Sequence, residues 1–457
     1  MNSTLIYSAC ALICAALLAY TLTPLVRVLA IKIKAIDVPT DGRRMHHKPI
    51  PRIGGLAIFL AFLITSIGFC RLDRELVTIL IGGSALVLLG ILDDVYRLNA
   101  FLKLAVQIVA ALFAVSQGVT IDYICFFGKY VAFGNWAIPI TVFWIVGLTN
   151  AVNFIDGLDG LACGVSAISS ISLCLTMLLS DSSVAHCLIT ALIAAACLGF
   201  LPFNANPARI FMGDTGALFL GYALSVLSVV GVFKSDMVLA FFIPLSIFGL
   251  PLADTFFAVV RRLAHGKSPF APDRGHLHHR LIDMGFGQKQ SVRILYAVCA
   301  ILGISAVMLT GQSTRGGALM LVVGLAIFFV TFLILRNPKL RIHSGIYNED
   351  EGVAPPVETF EDVIGEIPSI TPEAWHVFAR RHPSARLAVR LVWRGGDYGA
   401  PGADGGYCPR GGGNHPDACH RTRGVCGGTR QYADPVSILP CLYRYSPQRK
   451  CIGHHTL

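Results

Sequence analysis

The chain is 457 residues long, 54% hydrophobic and only 14% charged, with a formal net charge of +10 at neutral pH. A soluble protein of this length carries roughly a quarter charged residues, so the composition excludes a soluble chain and reads as a polytopic membrane protein. The positive balance does not indicate nucleic acid, because the basic residues fall in short connections between apolar runs, as the positive-inside rule describes.

The first apolar run, Leu5–Ala30, is too long for a signal-peptide core and lacks a preceding basic region, so it reads as an uncleaved first span. Further runs follow at Ile53–Cys70, Leu76–Leu92, Leu104–Gly118, Ala137–Ala151, Leu161–Leu179 and Val184–Leu201. The series ends with Gly216–Phe233, Met237–Val260, Val292–Leu309 and Gly317–Leu335. The expectation is an all-α membrane protein of about 11 transmembrane helices, since hydrocarbon leaves no partner for unpaired backbone groups. Most Lys and Arg lie in one set of alternate connections, against Arg71, Arg74, Lys129, Lys234 and Arg315 in the other. That asymmetry places the N-terminus outside and the residues after Leu335 in the cytoplasm. Nine of the fourteen Cys lie at or before Cys299, mostly in or beside apolar runs, and read as small packing residues with no disulfide framework.

Residues 1–341 therefore form a transmembrane domain, and 342–457 a separate tail. Asn348–Glu366 is acidic and contains proline, the composition of a disordered linker. From about Arg380 the chain is rich in Arg, Gly, Pro, Cys and His without hydrophobic periodicity, an atypical composition that a shifted reading frame would give. Cys408, His415, Cys419, His420 and Cys426 match no usual structural-zinc spacing.

Five polar clusters fall on the cytoplasmic side. Asp41 to Gly55 carries Arg43, Arg44, His46, His47, Lys48 and Arg52, which either grip an anion or only fix orientation. Asp93 and Asp94 end the third span, where acids oppose the helix dipole and repel each other unless a cation intervenes. Lys103 and Gln107 follow in the next run, and Lys103 suits either a phosphate or the headgroup layer. The central stretch, Asn150 to Leu161, places Asn153, Asp156 and Asp159 at i, i+3, i+6 spacing between apolar runs. An ionised carboxylate in hydrocarbon costs roughly 2.5–3.5 kcal/mol even on insertion scales, and hard oxygen donors suit Mg²⁺. Pro202 to Gly216 contributes Asn204, Phe211 and Asp214, an acid flanked by glycines just before a span. The longest cytoplasmic loop carries Arg274, His276, His278 and His279, a concentrated set of donors for phosphate oxygens, with zinc the rival for the histidines.

Several carboxylates, several cations and a divalent ion on one face fit phosphoryl transfer from a soluble anion to a membrane-embedded acceptor. A transporter would bury its carboxylates near the midplane in repeated broken helices, and no internal repeat is visible.

Leu92-Asp93-Asp94, Asn153-Phe-Ile-Asp156-Gly-Leu-Asp159-Gly, Phe211-Met-Gly-Asp214-Thr-Gly and Pro272-Asp-Arg-Gly-His276-Leu-His278-His279-Arg resemble the polyprenyl-phosphate N-acetylhexosamine-1-phosphate transferases, glycosyltransferase family 4. The likeness runs from the N-terminus to about residue 340, and the His loop is similar to the WecA and TagO branch, which uses UDP-N-acetylglucosamine. The resemblance implies that undecaprenyl phosphate attacks the β-phosphorus of a UDP-N-acetylhexosamine and releases UMP, at the cytoplasmic face of a bacterial inner membrane. The branch that transfers phospho-MurNAc-pentapeptide is the alternative. By the same resemblance, Asn153 and Asp214 hold Mg²⁺, with Mn²⁺ the other candidate ion. Asp93 acts as base or orients the acceptor, with Asp94 beside it and the division of roles left open. Asp156 and Asp159 lie near the diphosphate and uridine, and Phe211 and Asn204 line a uracil pocket. Arg274, His276, His278 and His279 contact phosphates. The bilayer and a second copy of the chain complete the candidate partners.

Overall fold

The computed structural model describes residues 2–38, 49–126, 129–180, 182–233, 242–266, 276–310 and 322. The helices in chain order are α1 (Asn2–Lys32), α2 (Gly55–Phe69), α3 (Arg74–Tyr96), α4 (Ala100–Ser116), α5 (Ala137–Ile155) and α6 (Leu161–Leu179). They continue with α7 (Val184–Asn204), α8 (Gly213–Ser228), α9 (Phe242–Ile247), α10 (Gly249–Ala264), α11 (Leu277–Asp283) and α12 (Gln288–Thr310). Among the described residues, seven helical segments are long and apolar enough to cross a membrane: α1, α3, α5, α6, α7, α8 with its π-helical extension Val229–Phe233, and α12. α2 and α4 are apolar but shorter. The chain is thus a mostly helical, multi-pass membrane protein. The run Gly317–Leu335, the tail after 342 with its Cys and His residues, Asp41 to Lys48, and Arg274 lie outside the described residues, Val322 excepted.

The predicted run Met237–Val260 is not one uninterrupted helix. α9 ends at Ile247 and α10 begins at Gly249. Pro251 has no N–H to return to the Ile247 carbonyl, and the Ser169 hydroxyl of α6 donates to that oxygen instead, at 3.2 Å. The all-helical expectation also omits two antiparallel pairs outside the spans, β1 (Ile36–Asp37) with β2 (Ile50–Pro51), and β3 (Tyr123–Phe126) with β4 (Lys129–Ala132).

The core is built on α8. All its residues except Asp214 are buried. It is packed by α3 and α5 most extensively, with α2, α6 and α7 also in contact. Gly216 meets Gly55 of α2 backbone to backbone, the close approach that small residues permit between membrane helices. Further along, Phe219 lies edge-on to Phe59 at 5.1 Å, and the Tyr222 hydroxyl donates to the Thr78 carbonyl at 3.3 Å. This places the one unburied residue of α8, Asp214, at the helix N-terminus, where α3, α5 and the connections after α5 and α7 converge.

Candidate active site

Asp93 and Asp94 occupy the last turn of α3, and the chain leaves it through Arg97 in a left-handed conformation, φ 54°. Neighbours in a helix point about 100° apart, and here the two carboxylates separate. Asp93 Oδ1 accepts from the Leu98 backbone N–H at 2.8 Å, and Oδ2 accepts from Lys103 Nζ at 3.0 Å. The same ammonium donates to Asp214 Oδ2 at 3.0 Å.

Asp94 turns instead to the start of α8. It accepts from the backbone N–H groups of Asp214 (3.3 Å) and Thr215 (3.2 Å) and from the Thr215 hydroxyl (2.8 Å). Helix N-termini leave donors without intrahelical partners, and a carboxylate there is also favoured by the dipole. The residue before α8, Met212, has no side chain able to do this, so Asp94 caps α8 from another helix. Arg52 Nε lies 3.1 Å from Asp94 Oδ1. Burial pulls the Arg52 guanidinium down, but Asp94, Asp214, Asp37 and Asp93 outweigh it and hold it above its ordinary value. The backbone around Arg52 clamps the Phe211–Met212 segment, with Phe211 N–H bonded to the Pro51 carbonyl (2.7 Å) and Gly54 N–H to the Phe211 carbonyl (2.9 Å). Gly213 has φ 70° and lies so close to the Arg52 carbonyl that no Cβ fits.

The opposite wall is the end of α5 and the turn after it. Gln107 of α4 and Asn150 of α5 exchange side-chain hydrogen bonds, Asn150 Nδ2 donating to Gln107 Oε1 at 2.6 Å, so their amides are satisfied inside the bundle. One turn on, the Asn153 side chain faces Asp214 across the same cavity. Burial, with the Asp214 and Asp94 charges adding to it, pushes the Asp156 carboxyl up to about 8. Asp159 Oδ2 accepts from Asn206 Nδ2 (2.9 Å) and from the Ala208 backbone N–H (3.0 Å), tying this turn to the connection after α7. Tyr296 of α12 closes the turn by donating to the Gly160 carbonyl at 2.6 Å.

The three histidines do not act alike. His276 is buried and its Nδ1 lies 2.9 Å from Asp254 Oδ2, while Asp254 Oδ1 accepts from the Leu277 N–H at 2.8 Å. His278 stacks on His276, with centroids 5.6 Å apart and planes 10° from parallel. Its ring fills the space where Gly157 would carry a Cβ, and its Nδ1 has no hydrogen-bond partner. Burial, reinforced by His279 and His276 and opposed by Asp254, pulls His278 down to about 3, so it is neutral. His279, 4.3 Å from His278, reaches the cavity.

That cavity, about 350 Å³, is lined by Asn153, Asp156, Asp159, Asn204, Phe211, Asp214 and His279, together with Arg52 and Gln288. It lies at the lower end of the usual small-ligand range. Eight of the residues singled out from sequence, Arg52 included, thus meet on one hollow. Asp93 and Lys103 adjoin it through Asp214, Asp94 stands behind Arg52, and His276 and His278 sit behind His279. Asn204 donates to the Ile210 carbonyl (3.1 Å), while its buried Oδ1 has no partner. Asp254, Thr215 and the Gln107–Asn150 pair were not singled out as partners in the sequence; an acid inside the apolar run Met237–Val260 was the available signal for Asp254.

The donor set fits a divalent cation. Asp214, Asn153 and Asp93 offer hard oxygens from three helices, and Lys103 Nζ already sits as a positive charge between the Asp93 and Asp214 carboxylates. Asp93, Asp94, Asp156 and Asp214 crowd a region where Arg52 and Lys103 are the cations in contact with them.

The sequence profile described as Glycosyl transferase family 4 matches residues 76–232, the stretch from α3 through α8. The probable undecaprenyl-phosphate N-acetylglucosaminyl 1-phosphate transferase of Bacillus subtilis is 40% identical over 332 residues, 72% of this chain and 89% of that protein. Decaprenyl-phosphate N-acetylglucosaminephosphotransferase of Mycobacterium tuberculosis H37Rv is 33% identical over 368 residues, 74% and 90% of the two chains. Phospho-N-acetylmuramoyl-pentapeptide-transferase of Acetivibrio thermocellus is 30% identical over 288 residues, 58% and 84%.

Proposed function

Because the chain belongs to glycosyl transferase family 4, we propose that it transfers N-acetylglucosamine 1-phosphate from UDP-N-acetylglucosamine to a polyprenyl phosphate, releasing UMP. A phosphate oxygen of the acceptor forms a bond to the β-phosphorus of the nucleotide sugar. The bond from that phosphorus to the bridging oxygen breaks, and UMP carries the electron pair away. The relatives named for N-acetylglucosamine match at 40% and 33% identity and over more of the chain than the pentapeptide transferase, which favours the amino sugar as cargo. Undecaprenyl phosphate is the acceptor of first choice, and the cavity opens to the cytoplasm of a bacterial inner membrane by the charge asymmetry of the connections.

One observation carries the reading: Asp214, Asn153 and Asp156 line one polar hollow at the ends of membrane helices, and Lys103 joins Asp214 to Asp93 beside it. Asp214 and Asn153 would hold the divalent cation, Mg²⁺ on the hardness of its donors, which would supply neutralisation of charge on the diphosphate. Asp93, held by Lys103 and the Leu98 N–H, orients the acceptor phosphate or takes its proton. Phe211 offers a ring face to the base, and the unpartnered Asn204 Oδ1 suits an imide N–H. His279 and Arg52, both on the cavity lining, face the phosphates. His278, neutral and behind His279, supports rather than binds.

The test is a panel of radiolabelled UDP-N-acetylhexosamines and UDP-MurNAc-pentapeptide offered to the purified protein with undecaprenyl phosphate and Mg²⁺. UMP and a lipid-linked N-acetylglucosamine diphosphate are expected. Turnover confined to the pentapeptide substrate would move the assignment to the other branch, and no UMP from any donor would end it.

A further inference from the structure

We propose that Asp254 is the positioning residue of the histidine loop, holding His276 and the first turn of α11 so that His279 stands at the cavity wall. The proposal rests on the reading of that cavity as a nucleotide-sugar site. Asp254 lies in α10 and is only 4% exposed, and a buried acid is costly unless its oxygens are bonded. Both are. Oδ1 accepts from the Leu277 N–H (2.8 Å) and Oδ2 meets His276 Nδ1 (2.9 Å). α11 begins after His276, whose own side chain makes no capping bond, so the helix takes its cap from α10. A carboxylate only accepts, which requires the His276 proton on Nδ1. From that fixed ring the order of contacts runs outward: His278 stacks on His276, its edge occupies the place a Gly157 Cβ would need, and His279 follows at 4.3 Å. Of the three, His279 alone lines the cavity.

The arrangement separates two substitutions. Asp254→Asn keeps an acceptor for the Leu277 N–H and can donate through Nδ2 to His276 once that ring moves its proton to Nε2. Asp254→Leu keeps the volume and loses both bonds. The experiment uses the full chain in detergent with polyprenyl phosphate and reads two quantities, steady-state constants for UDP-N-acetylglucosamine and carbethoxylation of each histidine by diethyl pyrocarbonate, mapped by peptide mass. In the native chain His279 should react while His276 and His278 stay protected. Asp254→Leu should expose both and raise KM about tenfold with a smaller loss in kcat, a misplaced wall rather than a lost reacting group. Asp254→Asn should stay within about threefold of the native constants and keep the protection. If Asp254→Leu does not assemble, His276→Phe removes the same anchor while keeping a ring against His278, and should raise KM in the same direction. Native constants and native protection in Asp254→Leu would overturn the proposal, as would an Asp254→Asn as impaired as Asp254→Leu. If the native chain releases no UMP from any donor, the transferase reading falls, while the protection pattern still decides whether Asp254 sets the loop.

Discussion

Two corners of the site solve the same problem with different visibility. At the α3–α8 corner, Asp94 caps α8 from a neighbouring helix and thereby fixes Asp214. At the α10–α11 corner, Asp254 caps α11 and fixes the histidines. In each, a buried carboxylate serves a helix start, while the side chains carried by that helix face the cavity. They differ in what is left over. The first corner retains a second carboxylate, Asp93, whose bonds run to Lys103 and the cavity side. Among the described residues, the second offers beyond its anchor the neutral His278 and the half-buried His279. On the proposed function, the first corner would supply the chemistry and the second the binding.

The largest expected effect lies in the pair Asp93 and Asp94. Asp93→Asn should lower kcat about a hundredfold or more with the unfolding temperature unchanged, because on the proposed function it removes the acceptor-facing carboxylate while no helix loses its cap. Asp94→Asn should instead destabilise the fold by about 1–2 kcal/mol and raise the Mg²⁺ concentration for half-maximal rate, since Asp214 is no longer fixed. Measured UMP release against Mg²⁺, beside thermal unfolding, checks both, and identical behaviour of the two variants would erase the division of roles. Next in size is Gly157→Ala. Its Cβ has no room beside the His278 ring, so a loss of about 1–3 kcal/mol in stability and a higher KM for the nucleotide sugar are expected.

Most of the first corner was legible because charge inside an apolar run is expensive, which drew attention to Asp93, Asp94, Asp156, Asp159 and Asp214 together. Their division was not, since it depends on which way each side chain leaves its helix and on donors more than a hundred residues distant, Asp94 to Thr215 being the clearest case. Asp159 shows the same limit. Its place on the cavity wall was expected, yet its Oδ2 holds the Ala208 N–H and Asn206, a bond set by the path of the connection after α7. The second corner is half legible: three histidines within four residues are conspicuous in the sequence, whereas a single acid in Met237–Val260 does not stand out from an apolar run. The break between α9 and α10 was likewise hidden, because Pro251 alone does not say that Ser169 will receive the freed carbonyl.

The smallest effect is in pH. Asp156, pushed up to about 8 in the folded chain from the 3.8 of an ordinary aspartate carboxyl, keeps its proton where the unfolded chain has released it. The folded state then binds more protons between those values, so in EDTA its stability should fall as pH rises from about 4 to about 8. Asp156→Asn should flatten that slope, and a wild-type slope of opposite sign would contradict the electrostatics described for this wall.

The most direct measurement is Mg²⁺-dependent UMP release by Asp214→Asn in membranes, at matched expression, from UDP-N-acetylglucosamine and undecaprenyl phosphate. The account predicts loss of at least about a hundredfold, together with loss of the Mg²⁺ response. Near-native turnover with a normal Mg²⁺ response would show that the head of α8 is not the ion site.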